Sequence, residues 1–211
     1  MDIIEQALLY VKDFFEQEYS GHDYFHTLRV FNMATRIAEK EGADLKIVQL
    51  AALLHDVDDR KLSPETCEGK LNARGFLAQK VELETMERIC QIIGEISFAG
   101  KDSVKPSTLE GQCAQDADRL DAIGAIGIAR AFAYGGSHNR YLHHPDIKPK
   151  LNMGKEEYHN SNSTTINHFY EKLFLLTDMM NTPTAKELAK ARQAYMQAYI
   201  DEFMAEWDGI Q

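Results

Sequence analysis

Apolar residues recur at three- and four-residue spacing in segment after segment of this chain, and alternating strand-like runs are nearly absent, which predicts an all-helical protein. In 2–18 the stripe is Ile4, Leu8, Val11 and Phe15. Ser20-Gly21 breaks it, and a second helix over 22–41 carries Leu28, Phe31, Ile37 and Ala38 before Gly42 ends it. A third helix starts at Asp44, a suitable N-cap, and runs through Ile47, Leu50, Ala51 and Leu54 into His55-Asp56. Further helices are predicted at 64–79, 82–95, 108–122, 124–134, 163–181 and 184–207, with Pro64 in a first turn and Pro183 marking the last break. The closing helix is expected to turn Leu188, Ala191, Tyr195, Ala198 and Phe203 inward. Two stretches resist a helical reading: 97–107, and 135–162, which holds four of the eight histidines. A loop of the second length inside a folded domain is usually a lid, a binding loop or disordered.

With 211 residues, 44% of them hydrophobic, the chain can bury a core as one domain, and the expected fold is an all-α, single-domain helical bundle over 1–211. A net charge of -10 argues against duplex nucleic acid as a partner, because phosphate backbones are held by clustered Lys and Arg. Cys67, Cys90 and Cys113 are odd in number and far apart, so neither a disulfide framework nor a thiolate zinc site is expected. The acidic start Met1-Asp2-Ile3-Ile4-Glu5 lacks the pattern of a signal peptide, and the apolar stretch from Ala122 to Ala133 is too short for a membrane span and contains Arg130. A cytoplasmic protein with no membrane partner is expected. Pairing through a helix face would make a homodimer.

Candidate chemistry concentrates on His26, the pair His55-Asp56, and Asp118, spaced His-x28-His-Asp-x61-Asp. Mixed imidazole and carboxylate donors suit a hard or borderline divalent cation, whereas structural zinc sites usually show cysteine pairs at short spacing. His22 and His26 stand one helical turn apart, and Asp118 and Asp121 share a face of a later helix. The run His22-Asp23-Tyr24-Phe25-His26 imitates the His-Glu-x-x-His helix of zinc peptidases, but Asp replaces the catalytic Glu and His55-Asp56 would then have no role.

The segments Gly21-His22-Asp23-Tyr24-Phe25-His26, Leu53-Leu54-His55-Asp56-Val57 and Asp116-Ala117-Asp118-Arg119-Leu120-Asp121 resemble the HD superfamily of metal-dependent phosphohydrolases. The run from Ala125 to Gly136 and the segment Asn167-His168-Phe169-Tyr170-Glu171-Lys172-Leu173 are similar to a bacterial, largely uncharacterised branch resembling nucleoside triphosphate pyrophosphohydrolases. The resemblance implies an HD domain with a metal-binding core at about 20–125, completed by helices in 163–208. It implies His26, His55, Asp56 and Asp118 as ligands of one divalent ion (Mn, Mg, Ni, Fe or Co). Di-iron members carry an additional histidine pair between the HD pair and the last Asp, and none occurs between Asp56 and Asp118.

Asp59 stands where several such proteins place a catalytic Glu, and is the candidate general base or water-orienting residue, shorter by one methylene. Arg29, Lys61, Lys101 and Lys172 are candidate phosphate donors. His22 is a candidate acid for the leaving group, phosphate donor or partner of a ligand, and Asp23 a support for an imidazole. The implied activity is hydrolysis of a small phosphorylated metabolite, preferably a nucleotide: a nucleoside triphosphate to monophosphate and pyrophosphate, or alternatively a monophosphate to nucleoside and phosphate. A metal-stabilised nucleotide-sensing or scaffold module is the non-enzymatic alternative.

Beside these, surface roles are expected for His138, His143, His144 and His159, a salt bridge for Asp121, an ion pair for Arg119, and core positions for Phe169, Tyr170 and Phe174.

Overall fold

The computed structural model describes residues 1–17, 23–60, 62–98, 100–154, 156–157 and 163–210, with Lys101 described by its backbone alone. Among these residues every regular element is helical. No helix among the described residues is long and apolar enough to cross a membrane. Two compact units are built from Met1–Phe98 with Val104–Asp118, and from Ala99–Ser103 with Arg119–Gln211.

The first unit is organised around α3 (Leu45–Leu54), a helix buried on nearly all sides: Ile47, Val48, Leu50, Ala51, Ala52, Leu53 and Leu54 are all buried. Such a helix needs neighbours all round. It packs against α1 (Ile3–Phe14), α2 (Tyr24–Glu41) and α5 (Leu83–Ile96). The short α4 (Leu71–Leu77) adds Ala73, Phe76 and Leu77 to the same core, and α6 (Leu109–Asp121) adds Ala114. The ends of α2 and α3 follow the sequence signals. Gly42 closes α2 at φ 74, a left-handed conformation that glycine adopts without steric cost, and the Asp44 carboxylate accepts the Lys46 and Ile47 N–H groups at the start of α3.

The predicted helix over 64–79 shrinks to seven residues of α4, since residues 64–70 form successive turns ending at Lys70, itself left-handed at φ 53. In the stretch 97–107 a 3-10 turn spans Gly100–Asp102.

In the second unit α7 (Gly124–Ser137) runs past the expected end at 134, through Gly135 and Gly136. Gly135 has a packing reason: a Cβ there would lie 2.2 Å from the Thr165 hydroxyl oxygen. The predicted helix over 163–181 breaks into α8 (Thr165–His168), a π-turn (Phe169–Leu173) and α9 (Leu175–Asp178). In the π-turn the Phe174 N–H reaches back five residues to the Phe169 carbonyl, 2.9 Å.

Part of the expected loop is pinned onto this region. Thr165 and Ile166 N–H groups bond to the Tyr141 and Leu142 carbonyls, and the buried Glu171 carboxylate accepts from Lys150 N–H (3.0 Å) and Ser163 Oγ (2.8 Å).

The last helix, α10 (Pro183–Trp207), packs on α7 but buries a different stripe from the predicted one: Ala185, Ala189, Met196 and Ile200 face in, while Tyr195 is 58% exposed. The helix carries apolar residues on both flanks, so the neighbour decides which flank is buried. Aromatic contacts join Phe132 to Phe169, Tyr199 and Phe203. Phe169 is core as expected, whereas Tyr170 lies at the surface.

Candidate metal centre

Helices α2 and α6 and the turn that follows α3 supply the site. On α2 the buried positions are His26, Thr27, Val30, Ala34, Ile37 and Ala38, so His26 continues the stripe that packs toward α3. An imidazole placed on an apolar stripe with no exposure is expensive unless its nitrogens are used. The Asp23 side chain accepts the His26 N–H at 2.7 Å as the N-cap of α2, so Asp23 supports His26 through its backbone.

Helix α3 ends at Leu54, and the Ala52 carbonyl in its last turn accepts a hydrogen bond from His55 Nδ1 at 2.8 Å. A carbonyl can only accept, so Nδ1 carries hydrogen and Nε2 is the nitrogen turned to the centre. Residues 55–58 continue as turns.

His55 Nε2 lies 3.3 Å from His26 Nε2, 3.2 Å from Asp56 Oδ2 and 3.9 Å from Asp118 Oδ1. His26 Nε2 lies 3.4 Å from Asp56 Oδ2 and 3.5 Å from Asp118 Oδ1. Ligand atoms about 2.1 Å from a cation stand about 3 Å apart on an octahedral edge. The observed spacings suit that arrangement, and His26, His55 and Asp118 form a group that could hold a metal ion. The Asp118 side chain is 27% exposed, against 1%, 3% and 8% for His26, His55 and Asp56, so the centre opens to solvent on the α6 side. Burial pushes His55 toward its neutral form, but the Asp56 charge and hydrogen bond, the Asp118 charge and the Ala52 carbonyl outweigh it and raise its pKa to about 9.

Three of the other predicted residues lie among the described ones. Asp59 is half-buried beyond the turn, its N–H bonded to the Asp56 carbonyl at 3.0 Å. Arg29 is half-buried on α2, three residues after His26. Lys172 is half-buried in the π-turn of the second unit. His22, Lys61 and His159 lie outside the described residues, as does the side chain of Lys101.

Within the second unit Asp121 pairs with Arg130 at 2.6 Å, the expected salt bridge. Arg119 is buried and donates to the Met179 carbonyl.

Asp58 is only 1% exposed, and its two carboxylate oxygens accept the Asn72 N–H (3.1 Å) and the Ala73 N–H (2.9 Å) at the start of α4. Nothing local in the sequence marked this, because the cap lies far upstream of the helix it serves. The one available signal was Lys70, whose side chain cannot accept a hydrogen bond where a cap belongs.

The HD domain family model matches residues 23–123, a span that takes in His26, His55, Asp56 and Asp118. YpgQ of Bacillus subtilis is 40% identical over 98% of this chain and 94% of its own length. A crystal structure of YpgQ in complex with ADP superposes with a TM-score of 0.74 at 37% identity, covering 99% of this chain and 100% of that one. A Lactobacillus plantarum protein of known structure has a TM-score of 0.87 at 41% identity, covering 98% and 97%. An HD-superfamily hydrolase from Bacillus thuringiensis has 0.76 at 40%, covering 97% and 96%. Identity at that level over nearly the whole chain, together with the histidine and aspartate cluster, makes this chain a member of the HD superfamily of hydrolases.

Proposed function

We propose that this protein is a metal-dependent phosphohydrolase acting on a small phosphorylated metabolite, with a nucleotide as substrate. The observation that carries the reading is the convergence of His26, His55, Asp56 and Asp118, whose donor atoms stand 3.2–3.9 Å apart in the pairs above with one solvent-open side. In this reading those four residues hold one divalent cation. A cation in such a site acidifies a water and offsets charge on a phosphoryl group. The nucleotide assignment is supported by the ADP bound to YpgQ.

Asp59 is the general base or water-orienting group: it follows the ligand pair across one turn and is only half-buried, so it can meet solvent. Arg29, one turn beyond His26, is a donor for phosphate oxygens, with Lys172, Lys61 and Lys101 as further candidates and His22 as acid for the leaving group. The zinc-peptidase alternative loses ground, because His55 shares the centre with His26.

Cleavage of a nucleoside triphosphate to monophosphate and pyrophosphate is the preferred reaction. The test is turnover by metal-stripped protein reloaded with Mn, Mg, Ni or Co, against mono-, di- and triphosphate nucleotides. Pyrophosphate as first product supports this reaction; orthophosphate from a monophosphate supports the phosphatase alternative. Absence of turnover with any pairing would overturn the enzymatic reading in favour of a sensing or scaffold module.

A further inference from the structure

We propose that Asp58, together with Asn72, is a positioning residue of the cation site: it braces the turn that carries Asp56 and Asp59 against the N-terminus of α4. This inference rests on the metal reading above. The α-helix ends at Leu54, so the turn beyond it is not held by a continuing ladder of helical hydrogen bonds. The backbone instead forms a turn closed by the Asp59 N–H on the Asp56 carbonyl, 3.0 Å. Asp56, the proposed ligand, is one end of that turn, and Asp59, the proposed base, is the other. The two residues between them are Val57 and Asp58.

Both are tied to α4. The Asp58 oxygens accept the Asn72 and Ala73 N–H groups, and the Asn72 side-chain amide returns a hydrogen bond to the Val57 carbonyl at 2.8 Å while also donating to Thr66 Oγ1 at 3.0 Å. Three hydrogen bonds therefore link the middle of the turn to the first residues of α4. Asp58 is buried, and Phe76 and Leu77 anchor α4 in the core, so the brace has a fixed support. Capping alone is usually met by a residue next to the helix. Here Lys70 occupies the cap position without a side-chain bond, and the acceptor comes from the residue two past Asp56. The consequence is that α4 and the His55-Asp56 turn cannot move independently. Asp58 itself is not a ligand in this arrangement, since both its oxygens are engaged away from the centre.

Supports of metal ligands typically contribute 10- to 100-fold in affinity. The experiment titrates Co(II) into metal-stripped full-length protein, reading affinity and the visible absorption bands of the bound ion, for wild type, Asp58→Asn, Asn72→Ala and the core control Ile89→Val, with folding followed by circular dichroism. We expect wild-type binding and spectrum for Ile89→Val, and for both brace variants binding weaker by about tenfold or more with shifted bands. Asn72→Ala leaves the Asp58 cap intact and removes only the Val57 and Thr66 bonds, so it decides the matter should Asp58→Asn fail to fold. Brace variants that lose stability but keep wild-type affinity and spectrum would overturn the brace while leaving the metal reading standing. Wild-type protein that takes up no Co(II) would overturn the metal reading, and the brace with it.

Discussion

At the scale of single residues, His55 is under opposed forces, and the balance has a measurable sign. Its pKa is raised from 6.5 to about 9 by the Asp56 and Asp118 carboxylates, against the effect of burial. In chelator-stripped protein the proton on His55 therefore contributes stability that is complete below pH 6.5 and lost as pH rises through about 9. A cation entering the site must displace that proton, so binding at pH 7.5 should release about one proton per ion. Calorimetric titration in two buffers of different ionisation enthalpy measures it, and a buffer-independent heat would contradict it. Asp59 makes a separate prediction. Asp59→Asn should retain the cation but lower turnover by about 10²- to 10⁴-fold, the usual worth of a general base. Equal turnover in the variant would remove Asp59 from the mechanism. His26 and the His55-Asp56 pair were legible from their spacing and from the flanking residues that resemble the HD superfamily. The bond from His55 Nδ1 to the Ala52 carbonyl was not, since a backbone acceptor leaves no mark in the sequence.

At the scale of elements, the glycines separate local propensity from packing. Gly94 is exposed in α5, and a Cβ there would meet nothing within 4 Å. Gly94→Ala should stabilise the protein by roughly 0.5–1 kcal/mol through helix propensity. Gly127 in α7 is the contrary case: a Cβ would fall 2.2 Å from the Ala122 carbonyl oxygen, which is backbone and cannot swing aside. Gly127→Ala should destabilise by about 1–3 kcal/mol. Chemical denaturation of the two variants should give midpoints on opposite sides of wild type. Helix ends with local caps were readable, as Asp44 and Gly42 show. The start of α4 was not, because its acceptor Asp58 comes from before the preceding turns, and neither was the π-turn at Phe169–Leu173, which no spacing of apolar residues specifies.

At the scale of the whole molecule, a cation held from α2, the turn after α3 and α6 would tie together segments far apart in the chain, so binding should appear as global stability. At one hundred times its Kd, a cation that binds only the folded state raises the unfolding free energy by ~2.7 kcal/mol. For a chain of 211 residues this corresponds to a rise in Tm of roughly 5–10 °C, which chelator should reverse. A Tm indifferent to both would argue against the cluster as a metal site. The sequence by itself determined the helical class and most of the helix positions, and its resemblance to the HD superfamily singled out the four residues that the structure brings together. The helical class and positions follow from apolar periodicity, and the four residues from the motifs that carry the resemblance. Tertiary structure alone decided which flank of α10 is buried, where 163–181 breaks, and what holds the turn after α3. Each of those outcomes depends on a partner distant in sequence, and a one-dimensional pattern cannot say which of two comparable faces, caps or registers that partner will select.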